Sequence, residues 1–176
     1  YADQKRVRCI VGAQVKSIYT SSGSNDLTGL TVGIDKALYV AGATDGITRI
    51  ALDGTSALFA GGGKNTTDGA AALDAAIDPY GLAALADGSI AFSEPTENRV
   101  RVVTPDGRVR LLAGTGTPGA GGDGGLAAAA QLCDPRFLAP LPNGSLLVGE
   151  WGCDGAPARL RSISAQGKIA TLAGGV

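Results

Sequence analysis

The acidic residues are the most evident candidates for chemistry, because the 176-residue sequence contains no histidine. Without histidine, this sequence offers neither the Ser-His-Asp and Cys-His arrangements of nucleophilic catalysis nor a histidine-based metal site. Asp26, Asp78 and Asp134 each open a similar segment, and carboxylate oxygens are ligands that Ca²⁺ prefers. The three aspartates therefore predict either a calcium site or three turn caps, a role that suits aspartate before proline.

Two glutamates form a second set, and each is followed a few residues later by an arginine. Glu94 precedes Arg99, and Glu150 precedes Arg159. A salt bridge that orders the intervening loop is one interpretation of each pair, and an acid that faces a ligand is the other. Trp151, the only tryptophan, directly follows Glu150. It is either an exposed binding hot spot or a side chain packed against its neighbours.

The elements that must position these residues are short β-strands. Residues 78–133 contain four apolar runs, each closed by a turn signal such as Asp87-Gly88 or the Pro-Asp-Gly at 105–107. Residues 99–102 and 108–111 alternate polar and apolar side chains. That period of two is typical of strands with one buried face and one wet face.

The same unit recurs along the chain, at 26–62, 78–114 and 134–176. A repeat of about 40–50 residues with four strands is typical of a β-propeller blade, which must stack on its neighbours. Residues 1–24 match the last two strands of such a unit. The sequence therefore predicts an all-β fold of four-stranded antiparallel blades. About three and a half blades are present, an arc of a larger propeller of about six.

The amino-acid sequence of these units resembles that of the NHL-repeat β-propellers. The resemblance is carried by GLAALADGSIAF, ENRVRVV, PDGRVRLLAGTGTPG and GDGGLAAAAQLCDP, covers nearly the whole chain, and is most specific in the middle blade. Glu94 and Glu150 stand where the family usually has Asp, each followed by the family's Arg. In the first blade Gly42 and Ile47 fall at these two positions, so no acid–arginine pair is expected there.

A propeller would also bring distant residues together. The start of each innermost strand and the loop between the second and third strands emerge on one face, so the three aspartates would ring the mouth of the central channel. The same geometry predicts a disulfide between Cys133 and Cys153, with two free thiols as the alternative. Closing a loop of about 20 residues would stabilise the fold by roughly 3 kcal/mol. Cys9 is predicted to be a small buried side chain.

Composition excludes several classes of partner. Lys and Arg number 15 against 16 Asp and Glu, for a net charge of −1, so no nucleic-acid partner is expected. No apolar run reaches the length of a membrane span, so no membrane insertion is expected. Residues 114–119 match G-x-G-x-x-G, but Pro118 lies inside the match, and a turn-rich loop is predicted instead of a dinucleotide site. Since Tyr1 begins within the repeat pattern, we expect a piece of a longer protein.

The function expected from these features is non-catalytic: a rigid scaffold that binds other protein chains or the remainder of its own propeller. Trp151, Phe137 and Glu150 are the candidate interaction residues. Asn65 and Asn143 lie in glycosylation sequences, which together with the disulfide favour an extracellular or cell-surface location. No cofactor is expected, calcium at the aspartates excepted.

Two other functions stay open. The resemblance includes lyases that use histidine-bound zinc, so a metal-dependent lactonase or lyase, completed by blades outside this sequence, is one alternative. A carbohydrate-binding propeller is the other.

Overall fold

The computed structural model describes residues 5–21, 26–42, 45–153, 155 and 157–175. In this part of the chain the regular structure is β-strand, apart from one short 3-10 turn at Ala127–Ala129. No helix in the described segments is long and apolar enough to cross a bilayer. The strands form antiparallel sheets, which confirms the all-β prediction.

Three of these sheets are meanders of consecutive strands, and we number them blades 1 to 3. Blade 1 consists of β3 (Leu27–Val32), β4 (Leu38–Gly42), β5 (Gly46–Ile50) and β6 (Ser56–Ala60). Blade 2 contains β8 (Leu82–Ala84), β9 (Ile90–Glu94), β10 (Arg99–Val103) and β11 (Arg108–Ala113). Blade 3 contains β12 (Pro135–Pro140), β13 (Leu146–Glu150), β14 (Arg159–Ile163) and β15 (Ile169–Gly174). Ahead of them, β1 (Arg6–Val11) pairs only with β2 (Gln14–Thr20).

The loops between blades lie along the outer edge of the blade that follows. The strand β7 (Ala70–Ala71), which belongs to the loop between blades 1 and 2, pairs with β11 as a fifth strand of blade 2. In the next loop, Leu126 forms an isolated antiparallel bridge to Lys168, just before β15. Each loop is therefore part of the following sheet instead of a free connection.

The hydrophobic core lies between blades. One cluster joins the face of blade 1 to the facing side of blade 2, and includes Ala41, Ile47, Ala60, Leu82, Phe92 and Val109. A second cluster joins blade 2 to blade 3, and includes Ala91, Val100, Ala113, Leu132, Val148 and Ile163. Alanine recurs on these faces because small side chains let two sheets approach closely. No blade buries both of its own faces without a neighbour.

The innermost strands of successive blades touch through their backbones. A Cβ atom added to Gly29 would lie 2.3 Å from the carbonyl oxygen of Tyr80, and one added to Gly81 would lie 2.1 Å from that of Arg136. At the second junction the Ser93 hydroxyl accepts a hydrogen bond from the Gly81 N–H (2.9 Å) and donates one to the Arg136 carbonyl (3.1 Å). Glycine is required here for space.

We expect Gly81→Ala to lower the free energy of unfolding by about 1–3 kcal/mol, because the new methyl group would force blades 2 and 3 apart. Gly149→Ala is the matched control, since the three atoms nearest to its Cβ would all belong to the Phe137 side chain, the closest at 3.2 Å, and none to a neighbouring backbone. Urea unfolding followed by circular dichroism measures both. Equal losses in the two variants would contradict the close backbone approach.

Candidate functional site

The carboxylate of Glu94 lies inside the protein and is fully engaged. Its Oε2 pairs with Nε of Arg99 at 2.6 Å and with Nε of Arg101 at 3.2 Å. Its Oε1 accepts a hydrogen bond from the backbone N–H of Asp78 at 3.0 Å. The Glu94 side chain is 1% exposed, so its carboxylate is closed to solvent and orders the entry into blade 2.

Glu150 repeats this arrangement in blade 3. Its two oxygens lie 3.3 Å from Nε of Arg159 and 3.5 Å from Nη1 of Arg161, and its side chain is fully buried. Burial raises the pKa of Glu150, and the positive charges of Arg161 and Arg159 oppose that rise. The salt-bridge interpretation of both glutamates is the one that the geometry supports. Glu150 is not part of an exposed surface.

In blades 2 and 3, a second arginine forms hydrogen bonds with the loop that precedes the blade. Arg161, fully buried, donates to Asp123 Oδ1 at 2.5 Å and to the carbonyl oxygens of Gln131 (2.7 Å) and Gly121 (3.3 Å). At the matching position, Arg101 donates to the carbonyl oxygen of Ala76 at 3.0 Å. These hydrogen bonds tie the loop that precedes blade 2 to β10 and the loop that precedes blade 3 to β14.

The alternation of residues 99–102 predicts one buried face and one wet face, and this prediction is wrong at Arg101. Its side chain is 4% exposed, because the loop before blade 2 covers the face that period-two alternation assigns to solvent. Burial accordingly lowers the pKa of Arg101, against the raising effect of Glu94. The repeated R-x-R of strands β10 and β14 was the available signal.

Blade 1 has no acid–arginine pair at the position equivalent to Glu94 and Arg99, but the residue predicted to replace the arginine needs correction. Gly42 pairs with Gly46 across β4 and β5, just as Glu94 pairs with Arg99. Ile47 instead pairs with Ala60 and is fully buried in the core between blades. The first blade therefore carries two glycines where the others carry the ion pair.

The three aspartates do not form a metal site. Among the described residues, which include all three, no group of three or more His, Cys, Asp or Glu side chains could hold a metal ion. Both carboxylate oxygens of Asp134 accept hydrogen bonds from the Arg136 guanidinium, at 2.9 Å each. Asp26 is exposed and Asp78 half-buried. The three aspartates therefore do not come together as a common set of Ca²⁺ ligands within the described residues.

An arginine held between two aromatic rings lies at the entry to blade 3. The guanidinium carbon of Arg136 is 5.4 Å from the ring centroid of Tyr80 and 5.4 Å from that of Trp151. We call Tyr80, Asp134, Arg136 and Trp151 the arginine–aromatic cluster. The hydrogen bonds that Arg136 donates to Asp134 raise the pKa of Arg136, and burial opposes the rise. Trp151 is 64% exposed, and the neighbouring Phe137 is 59% exposed.

The predicted disulfide between Cys133 and Cys153 is confirmed, with the two Cα atoms 5.5 Å apart. It fixes the loop that bears Trp151 to the start of β12, where the Trp151 N–H also donates to the Asp134 carbonyl at 3.0 Å. Cys9 has no disulfide and is half-buried, so it is not the fully buried residue that the sequence predicted.

The remaining candidates lie on loops. Asn65 and Asn143 are exposed, and their side-chain oxygens accept hydrogen bonds from the N–H groups of Thr67 and Ser145. Glycosylation at these residues stays a prediction. Within residues 114–119, Pro118 forms an isolated β-bridge with Leu132, and no helix begins in this segment. The dinucleotide motif therefore lacks the helix that it needs.

Solved structures with a similar arrangement of strands are β-propellers. Virginiamycin B lyase from Staphylococcus aureus is 19% identical with a TM-score of 0.63, over 96% of this chain and 48% of that one. A protein of unknown function from Bacteroides thetaiotaomicron is 19% identical with a TM-score of 0.70, over 92% and 40%. A gluconolactonase from Xanthomonas campestris is 16% identical with a TM-score of 0.61, over 85% and 48%.

These similarities establish the fold. The chain has a β-propeller fold, as its sequence predicts, and it spans less than half the length of each of these three structures. No protein-family model and no curated protein matches the sequence. The activities of the similar structures are properties of those proteins.

We expect Arg161→Met to lower the free energy of unfolding by about 3–5 kcal/mol, because it removes one of the two arginines that pair with the buried Glu150 and frees the loop at Gln131. Arg49→Met is the control: Arg49 and its partner Asp35 are 40% and 37% exposed, so solvent screens their attraction and its loss should cost far less stability. Urea unfolding compares the two variants, and similar losses would refute a structural role for the buried network.

The acid dependence of stability provides a separate check. Burial raises the pKa of Asp123, but hydrogen bonds from Thr171 and Arg161 lower it more, so the folded-state pKa lies below 3.8. The resulting stability is fully present above the unfolded-state pKa and is lost as pH falls through the folded-state value. As the pH falls below about 4, the wild type should therefore lose stability more steeply than Asp123→Asn. Parallel curves in urea unfolding would contradict this assignment.

Proposed function

We propose that this chain is part of a rigid, NHL-like β-propeller module that binds another protein through the face bearing the arginine–aromatic cluster. The observation that carries this proposal is the exposed Trp151 stacked on an arginine that is itself fixed by Asp134. Tryptophan and arginine dominate binding hot spots. Their conformations are set before any partner arrives, so little side-chain entropy is lost on binding.

The acidic groups support a binding role over a catalytic one. Glu94 and Glu150 are buried in ion pairs, and Asp134 neutralises Arg136. The exposed part of the cluster is therefore aromatic and nearly neutral. A surface of this kind fits an apolar or aromatic patch on a protein partner better than a strongly charged ligand.

An extracellular or cell-surface setting belongs to the same proposal. A disulfide persists in oxidising compartments, and the two glycosylation sequences are on exposed loops. Both features suit a module that meets its partner outside the cell.

A lyase or lactonase activity is the second candidate. It is favoured by the presence of virginiamycin B lyase and a gluconolactonase among the similar structures. For this chain, such an activity would need a site completed by further blades. Carbohydrate binding at the channel mouth remains a third proposal, since an exposed tryptophan ring can stack on a sugar.

We expect Trp151→Ala to weaken binding of a protein partner at least tenfold, the loss typical of a hot-spot residue. The partner would be captured from extracellular fluid by the immobilised chain, identified, purified and titrated by calorimetry. Leu52→Ala is the control, because Leu52 is 80% exposed but lies in the turn between β5 and β6. Unchanged affinity in Trp151→Ala would refute the proposal. Calcium-dependent hydrolysis of gluconolactone by the purified chain would favour the enzyme instead.

A further inference from the structure

The three blades can be compared position by position, and one position of the innermost strand differs. Gly29 in β3 pairs with Ala41, and Phe137 in β12 pairs with Gly149. In blade 2 the equivalent residue is Gly81, whose carbonyl accepts a hydrogen bond from the Ser93 N–H at 3.0 Å. The glycine that blades 1 and 2 need for the close approach of the next blade is therefore a phenylalanine in blade 3.

The replacement involves a matched pair of residues. In blade 2 the Ser93 hydroxyl bridges Gly81 to the backbone of blade 3. In blade 3 its place is taken by Gly149, which has no hydroxyl group. A Cβ on Gly149 would lie 3.2 Å from the Phe137 Cβ, so the absence of a side chain there leaves room for the ring. The Gly–Ser bridge of blade 2 has become a Phe–Gly pair.

The rest of this face of blade 3 carries apolar residues at the positions that form the junction in blade 2. In blade 2 the matching residues Val100 and Ala113 are fully buried against blade 3. Their counterparts are Leu160, which is half-buried, and Ala173, which is exposed. Leu172, in the middle of the last strand, is 57% exposed. The face is apolar, and no described residue covers it.

We propose that this face takes a further four-stranded blade, and that Phe137 holds the innermost strand of that blade away from β12. The occupant follows from the repeat: the same face is covered by blade 2 on blade 1 and by blade 3 on blade 2. The chain also spans less than half of the similar propellers, so further blades are what such a ring would supply.

The displacement follows from the space that the phenylalanine takes. At the other two junctions the next carbonyl oxygen lies 2.1–2.3 Å from where a Cβ would be. Non-bonded atoms settle at about 3.5 Å, so a real Cβ pushes that oxygen outward by an ångström or more, and the ring pushes it further. The blade junction therefore opens at its inner edge, beside Arg136 and Trp151. This inference is independent of the proposed binding function.

An extended chain tests the proposal. A second copy of residues 115–176, which contains a blade and the loop that precedes it, would be appended after Val176. The extended chain would be made in two forms. One keeps Phe137 and Gly149 in the original blade 3, and the other carries Phe137→Gly/Gly149→Ser there, which restores the glycine–serine pair of blade 2. Crystal structures give the separation between β12 and the first strand of the added blade.

We expect the added blade to cover Leu160 and Leu172 in both proteins, with a wider inner separation when Phe137 is present. The double substitution should raise the melting temperature of the extended chain but not that of the original chain. An added blade that fails to dock, or that approaches β12 equally closely with Phe137 in place, would overturn the proposal. A stable dimer of the original chain that buries Leu172, detected by sedimentation, would identify a second copy as the occupant and overturn it as well.

Discussion

The packing of one sheet face on the next is the interaction on which this structure depends. Each blade is only four strands wide, and its two faces cannot be buried within it. Fully buried residues such as Ala41, Val100 and Ala113 owe their burial to the neighbouring blade. The stability of the fold therefore depends on the junctions between blades, and the strength of each junction depends on how closely its two faces fit.

Polar groups complete the junctions from inside. Buried ion pairs are costly unless their remaining hydrogen-bonding groups are satisfied. Loop carbonyl oxygens and an aspartate satisfy the Arg161 guanidinium. Arg101 Nε, Arg159 Nε and Glu150 Oε2, by contrast, are buried in ion pairs without a hydrogen bond. Arg161 contacts Glu150 at the end of β13, and it also contacts Asp123 and Gln131 in the loop that precedes blade 3. The network thus converts a long, glycine-rich connection into a fixed part of the blade, and it explains why these charged residues face no ligand.

Much of the fold could be predicted from the sequence, because turns and period-two strands are local signals and the repeat extends them. The Cys133–Cys153 disulfide could also be predicted, since ring topology brings those loops to one face. What failed was non-local. Arg101 occupies a position that alternation assigns to solvent, and only a loop returning from 25 residues away covers it. The aspartates share a position in the repeat but not a common centre, and Arg136 takes both oxygens of Asp134.

The Cys133–Cys153 bridge makes the surface of the protein depend on the redox state of its surroundings. In the described part of that loop, two backbone hydrogen bonds, Trp151 to Asp134 and Gly152 to Cys133, also connect it to the strand entry. Where glutathione keeps thiols reduced, the covalent link would be absent, and these hydrogen bonds and the ring contact would hold the tryptophan over its arginine. A chain produced in a reducing cytosol would keep its blades and yet present a different face from one folded during secretion.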